Sequence, residues 1–223
     1  MRLGLRLLAV LFLLLLIFGL VGYIHLPDVS ELRWKNPQKT ALMRYREEQG
    51  IHGRPIWVSL TAIAPTLRHA VIVAEDINFY EHNGTDWNAI WEAVKKNLKR
   101  RQLYAGGSTI SQQLAKNLYL NPSKTFWRKF QEMVITSRLE RELSKSRILE
   151  VYLNVAEWGR GIYGAEAAAR HYFNKSASDL TLEEASWLAA ILPSPLRYEK
   201  QQHSRYIDKK TRRIERWVEK RWD

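Results

Sequence analysis

The sequence predicts a mainly α-helical domain preceded by one N-terminal transmembrane helix. Three observations carry that expectation. The run Leu7 to Ile24 (LLAVLFLLLLIFGLVGYI) holds no charged residue, over a length that spans a bilayer as a helix. After Trp57 the apolar residues recur at helical spacing almost without interruption. No alternating, strand-like run exceeds a few positions, and no internal repeat is present.

Composition narrows the partners. With 35 Lys and Arg against 23 Asp and Glu, the chain carries a formal charge of +12 and a pI near 9.9. Such a balance points to an anionic partner: nucleic acid, a phospholipid surface or a phosphorylated substrate. Arg2 and Arg6 precede the apolar run, so the positive-inside rule places residues 1–6 in the cytoplasm and the chain after Ile24 outside. A cleaved signal peptide is the competing reading. No small-x-small site follows the run cleanly, and Tyr23, His25 and Pro27 are poor cleavage context, so a retained anchor over 7–24 is preferred. In a bacterium, an outer-face location removes nucleic acid from the partners. The absence of Cys removes disulfides, thiol nucleophiles and Cys-ligated zinc.

Residues 25–57 are mixed and polar, with Pro27, Pro37 and Pro55 and one short helical candidate near Lys39 to Gln49. They read as a stalk leading to a domain over 58–223. Pro65 suits the first turn of a helix that ends at Glu75. Trp87, Ile90, Trp91, Val94 and Leu98 form one apolar helix face, capped by Thr85 or Asp86. A basic, glycine-containing loop from Lys95 to Gly107 breaks the pattern. Ile110, Leu114 and Leu118 resume it until Pro122, and Phe126, Phe130, Met133 and Val134 line a helix to about Leu143. Ser144 caps the next helix, which carries Ile148, Leu149, Tyr152, Leu153 and Ala156. An Ala-rich helix follows from Gly164 to Phe173. Thr181-Leu182-Glu183-Glu184 is a capping box for a helix stopping before Pro193, and a basic helix runs from Tyr206 to Trp222.

The chemistry concentrates in a few stretches. Glu75 and Asp76 end an apolar helix, where a carboxylate is held rigidly enough to serve as a general base; a solvated helix end is the bland alternative. Gly106-Gly107-Ser108-Thr109-Ile110-Ser111-Gln112-Gln113 feeds hydroxyls and amides onto a helix N-terminus that favours anionic or hydroxyl-rich ligands, with Lys116 and Asn117 on the next turn. An ordinary capped helix is the alternative. Arg128-Lys129-Phe130-Gln131-Glu132 sets two cations one turn from a carboxylate, which as a surface pair contributes only about 0.3–0.5 kcal/mol. Glu150 sits among core positions and reads as structural. Gly159-Arg160-Gly161-Ile162-Tyr163-Gly164 matches a dinucleotide fingerprint but lies between helical stretches instead of in a βαβ unit. Those glycines are better explained by close packing.

Taken in order, Glu75-Asp76 with Phe79, His82 and Gly84, then GGSTISQQ with Lys116-Asn117, then RKxxE, KxxILExYLN and GIYGAEAAARHYF resemble the five motifs of family 51 glycosyltransferases, the peptidoglycan glycan polymerases. The resemblance covers about Val58 to Pro195. It implies a lysozyme-like, mostly helical fold with a second, membrane-associated lobe. No S-x-x-K occurs and 223 residues leave no room for a transpeptidase domain, so a stand-alone member is expected.

The reaction this resemblance implies joins the 4-hydroxyl of lipid II to the anomeric carbon of a lipid-linked glycan chain, with inversion, and releases undecaprenyl pyrophosphate. Glu75 is then the base. Arg128 and Lys129, assisted by Lys116, Lys124 and Arg138, meet the pyrophosphate. Ser108, Thr109, Gln112, Gln113 and Asn117 belong to the substrate-binding set. Glu132 is the second carboxylate, to position cations, bind a divalent ion or support proton transfer. Mg²⁺ or Mn²⁺ at the pyrophosphate is the one cofactor entertained. Expected partners are lipid II, membrane lipids and proteins of cell-wall synthesis or division, at the outer face of the cytoplasmic membrane. A glycan-cleaving lysozyme on the same fold needs no cation cluster, and a lipid-binding scaffold with a basic tail does not explain the ordered motifs.

Overall fold

The computed structural model describes residues 13, 19, 26–100, 107–199 and 204–222. The expected transmembrane run over 7–24 lies outside them apart from Leu13 and Gly19, and among the described residues no helix is long and apolar enough to cross a membrane. Residues 101–106 of the expected basic loop also fall outside.

Side-chain caps set most helix starts. The Thr40 hydroxyl accepts from Met43 N–H (3.1 Å) at the head of α1 (Ala41–Glu48). Pro65 fills the first position of α2 (Pro65–Glu75). Asp86, of the two cap candidates, accepts from Ala89 N–H (2.8 Å) in α3 (Trp87–Arg100). Thr109, Thr125 and Ser144 cap α4 (Ile110–Tyr119), α5 (Phe126–Glu142) and α6 (Lys145–Val155). After α7 (Ala165–Phe173), the Thr181–Glu184 box opens α8 (Leu182–Ile191) as expected, followed by α9 (Pro195–Tyr198) and α10 (Arg205–Trp222).

Two groups of helices share one core. α2 packs against α8 and α10, which also pack on each other; α4 packs against α1, α5 and α6. Leu67, Val71, Ile72, Ile110, Leu114, Ile135, Leu149, Tyr152, Leu188, Ile207 and Ile214 are buried between them. Each such side chain stabilises the fold by about 1.5–3 kcal/mol, so the C-terminal end of α2 and the N-terminal half of α4 are held in fixed relation.

A short ribbon, β1 (Glu157–Gly159) and β2 (Ile162–Tyr163), pairs antiparallel with Glu157 opposite Tyr163 and an irregularity before the Gly159–Ile162 pair. The G-x-G-x-x-G stretch therefore turns a hairpin. Gly161 has φ +74°, and a Cβ there would stand 2.4 Å from the His52 carbonyl. Close backbone approach, not nucleotide binding, explains that glycine.

The stretch read as a stalk is packed against the domain where it is described. Leu26, Val29, Leu32, Met43 and Ile51 are buried, and Arg46 of α1 pairs through two nitrogens with the Glu157 carboxylate (2.8 and 2.9 Å). The opposite departure occurs on α3 and α5. Trp87, Trp91, Phe126, Phe130 and Met133, read from the sequence as members of apolar helix faces, are exposed, and so is Trp127. Exposed aromatic side chains grouped on a helix mark an interaction face more than a core.

Candidate active site

The two adjacent carboxylates part company. Asp76 is buried and saturated: its Oδ1 accepts from His82 Nε2 (2.8 Å) and its Oδ2 from the Ile110 N–H (2.9 Å) at the head of α4. Gly84 N–H donates to His82 Nδ1 (3.1 Å), which leaves the Nε2 proton for Asp76. A Cβ at Gly84, where φ is +92°, would meet Thr136 at 2.7 Å. Asp76 thus ties the end of α2 to the start of α4. Glu75 is left for other work.

Glu75 Oε2 accepts from Gln113 Nε2 (2.7 Å), and Gln113 Oε1 in turn accepts from the Tyr152 hydroxyl (2.9 Å). Glu75 Oε1 is buried and, among the described residues, has no hydrogen-bond partner. Burial pushes this carboxyl above the usual carboxylate range, opposed by the Gln113 hydrogen bond and the charges of Lys210 and Lys116. A base moved toward the working pH while still ionisable is suited to taking a proton from a weak acid.

The first turn of α4 divides between structure and site. Thr109 and Gln112 form a reciprocal capping box, and their remaining groups bond Gly84 O (2.6 Å) and Thr85 Oγ1 (3.2 Å). Both are buried and bonded within the protein, in a helix cap. Gln113, Lys116 and Asn117 stand together at the i, i+3, i+4 spacing of neighbours on a helix, and line a cleft of about 570 Å³.

Around that cleft stand Arg46, Lys116, Lys124, Arg128 and Arg197, against the single carboxylate of Glu157. Burial lowers the Lys116 ammonium, while Glu132 and Glu75 hold it up. Glu132 is only 3% exposed, so the Arg128-Lys129-Glu132 group is no surface pair. Arg128 and Lys129 each donate to one of its oxygens, and Lys129 Nζ also reaches Ser108 Oγ (3.4 Å). Arg128 Nε is buried without a hydrogen-bond partner among the described residues. Such a cation-rich wall suits a diphosphate.

Arg138 is the sequence candidate that the fold takes elsewhere. It donates to the Leu26 and Pro27 carbonyls (3.1 and 3.3 Å), two and a half turns along α5 from Lys129. Glu150 accepts from Leu60 N–H (3.0 Å) and from Arg147, the structural part read for it. Tyr152, Arg46, Glu157, Arg197 and Lys210 were not read as site residues. Tyr152 looked like any core position on its helix, and the others fall outside the motif stretches. Both Glu132 oxygens are taken by cations, and among the described residues no group of three acidic or imidazole side chains is placed to hold an ion without help from a substrate phosphate. A larger groove, about 860 Å³ between α7, α8 and α10, contains none of the candidate residues.

Comparison with known proteins agrees in extent with this geometry. Residues 43–219 match the family model described as Transglycosylase. The chain is 50% identical over 185 residues to a biosynthetic peptidoglycan transglycosylase of Nitrosospira multiformis, covering 80% of each chain. A protein of the same description from Laribacter hongkongensis is 43% identical over 221 residues, covering 96% of this chain and 93% of the relative. Another from Aromatoleum aromaticum is 52% identical over 172 residues, or 74% and 75% of the two chains.

Proposed function

The chain belongs to the transglycosylase family, glycosyltransferase family 51, and from that premise we propose how this peptidoglycan glycosyltransferase works. The substrates are lipid II and a lipid-linked glycan chain. The lipid II 4-hydroxyl attacks the anomeric carbon of the donor, opposite its α-linked diphosphate. A β-1,4 bond forms, the carbon–oxygen bond to undecaprenyl pyrophosphate breaks, and the hydroxyl proton passes to Glu75. A sugar hydroxyl is too weak an acid to ionise alone, and a positioned base contributes about 10²–10⁴ in rate.

One observation carries the reading: a buried carboxylate with one oxygen held by Gln113 and the other unpartnered among the described residues, beside a cleft walled by cations. The departing diphosphate is a good anion that needs neutralising more than protonating. Lys116, Lys124, Arg128 and Lys129 supply that charge, and one well-placed donor contributes about 3–4 kcal/mol in a water-poor site. Ser108 and Asn117 meet substrate oxygens, and Glu132 positions Arg128 and Lys129.

The remaining organisation belongs to the same proposal. Residues 7–24 anchor the chain in the cytoplasmic membrane, and the exposed aromatics of α3 and α5 form the lobe that meets lipid. The test is polymerisation of purified lipid II by the wild type and by Glu75→Gln. Loss of polymer in the variant, with folding and membrane association kept, supports the reading; near wild-type polymerisation would sink it.

A further inference from the structure

Resting on the reading of Glu75 as the base, we infer that Tyr152 is a positioning residue: its hydroxyl fixes which end of the Gln113 amide meets Glu75, and so which carboxylate oxygen stays free for the incoming proton. Tyr152 lies inside α6, 1% exposed, with its hydroxyl 2.9 Å from Gln113 Oε1. Among the described residues Gln113 is the hydrogen-bond partner of Glu75, through Nε2 on Oε2 at 2.7 Å.

A carboxylate only accepts, so it needs the NH₂ end of the amide. Turned through 180°, the amide would set its oxygen against a carboxylate oxygen, an arrangement that favours the protonated acid. A hydroxyl donating to Gln113 Oε1 holds the amide the productive way round. Burial pushes the Tyr152 phenol well above its ordinary value, with the Glu75 and Asp76 charges adding to the effect. It therefore remains a neutral donor throughout the working range. The other charged groups facing Glu75 are Lys116 of α4, Lys210 of α10 and Asp76 at the C-cap of α2. Lys210 Nζ donates to Ala190 O (3.1 Å) and Asp76 is saturated by His82 and Ile110. They act on Glu75 through the field and leave its orientation to the Tyr152–Gln113 chain.

Tyr152→Phe keeps the packing and removes the donor. On the full chain with lipid II, kcat should fall about tenfold with KM within about twofold, and the acid limb of the kcat profile should move up by about one pH unit. Because Tyr152 acts through Gln113, the double variant Tyr152→Phe/Gln113→Met should turn over no more slowly than Gln113→Met alone. Fluorotyrosine incorporated at Tyr152, a stronger donor in the same packing, should move the acid limb down. A Tyr152→Phe enzyme with wild-type kcat and acid limb, or a double variant slowed by the product of the single effects, overturns the inference while leaving Glu75 as base. Undiminished turnover by Glu75→Gln overturns the base itself.

Discussion

Gln113 donates its amide N–H to Glu75 Oε2 at 2.7 Å while Glu75 Oε1, buried, has no hydrogen-bond partner among the described residues. A half-satisfied buried carboxylate is costly to a folded protein, and that cost gives a stability signature. Burial raises the folded-state pKa of Glu75 above its ordinary value of 4.5. Across the window between those two values the folded state binds more protons than the unfolded one, so stability falls as pH rises. Glu75→Gln, which removes the ionisable group, should raise Tm at pH 8 relative to wild type, with the gain vanishing below the ordinary glutamate value. The same variant should lose at least about 10² in polymerisation rate. Thermal melts at pH 4 and pH 8 decide it: an equal gain at both would detach the effect from ionisation.

Asp76, one residue on, should behave oppositely. Its side chain satisfies both His82 and the first N–H of α4. Asp76→Ala orphans both and should destabilise the fold by about 2–4 kcal/mol, read as a lowered urea midpoint. An unchanged midpoint would show that water replaces the lost bonds.

The Arg128-Lys129-Glu132 group separates stability from turnover. Removing Glu132 strands Arg128, whose side chain is 16% exposed, so Glu132→Ala should cost about 3–5 kcal/mol. Lys129 is half exposed, and Lys129→Ala should cost no more than about 1 kcal/mol in stability. Its kcat/KM for lipid II should nonetheless drop more than about tenfold. Steady-state kinetics beside denaturation curves measure both.

Arg138 and Arg46 test where the domain begins. Arg138→Met should leave KM for lipid II within about twofold, because Arg138 serves the Leu26 and Pro27 carbonyls. Arg46→Met leaves Glu157, 6% exposed, without its cation and should destabilise by about 3–5 kcal/mol. A fully stable Arg46→Met protein would return residues 41–48 to the status of a linker.

Much of the helical order was legible because caps and periods are local. Ser144, Asp86 and the Thr181–Glu184 box declare helix starts within four residues. The packed character of residues 26–57 was not, since Val29, Leu32, Met43 and Ile51 each fill a different gap and follow no period. Likewise the motif stretches pointed to Glu75, Gln113 and Lys116 but gave no means of telling Gln113, which faces the carboxylate, from Gln112, which closes a cap. That difference is one residue of helical rotation, about 100°. Tyr152 reaches the site from 39 residues away in sequence, across a helix interface no local pattern encodes.

The Arg138 contacts with the chain at Leu26 and Pro27 have a mechanical consequence. Arg138 and Lys129 sit on one rigid rod, nine residues apart, which at about 1.5 Å per residue is roughly 13 Å. If residues 7–24 cross the bilayer as proposed, the point where the polypeptide emerges is bolted to the same rod that carries the diphosphate-facing cations. The altitude of the reaction above the lipid is then set by a ruler of helix, with no slack leash to let it drift.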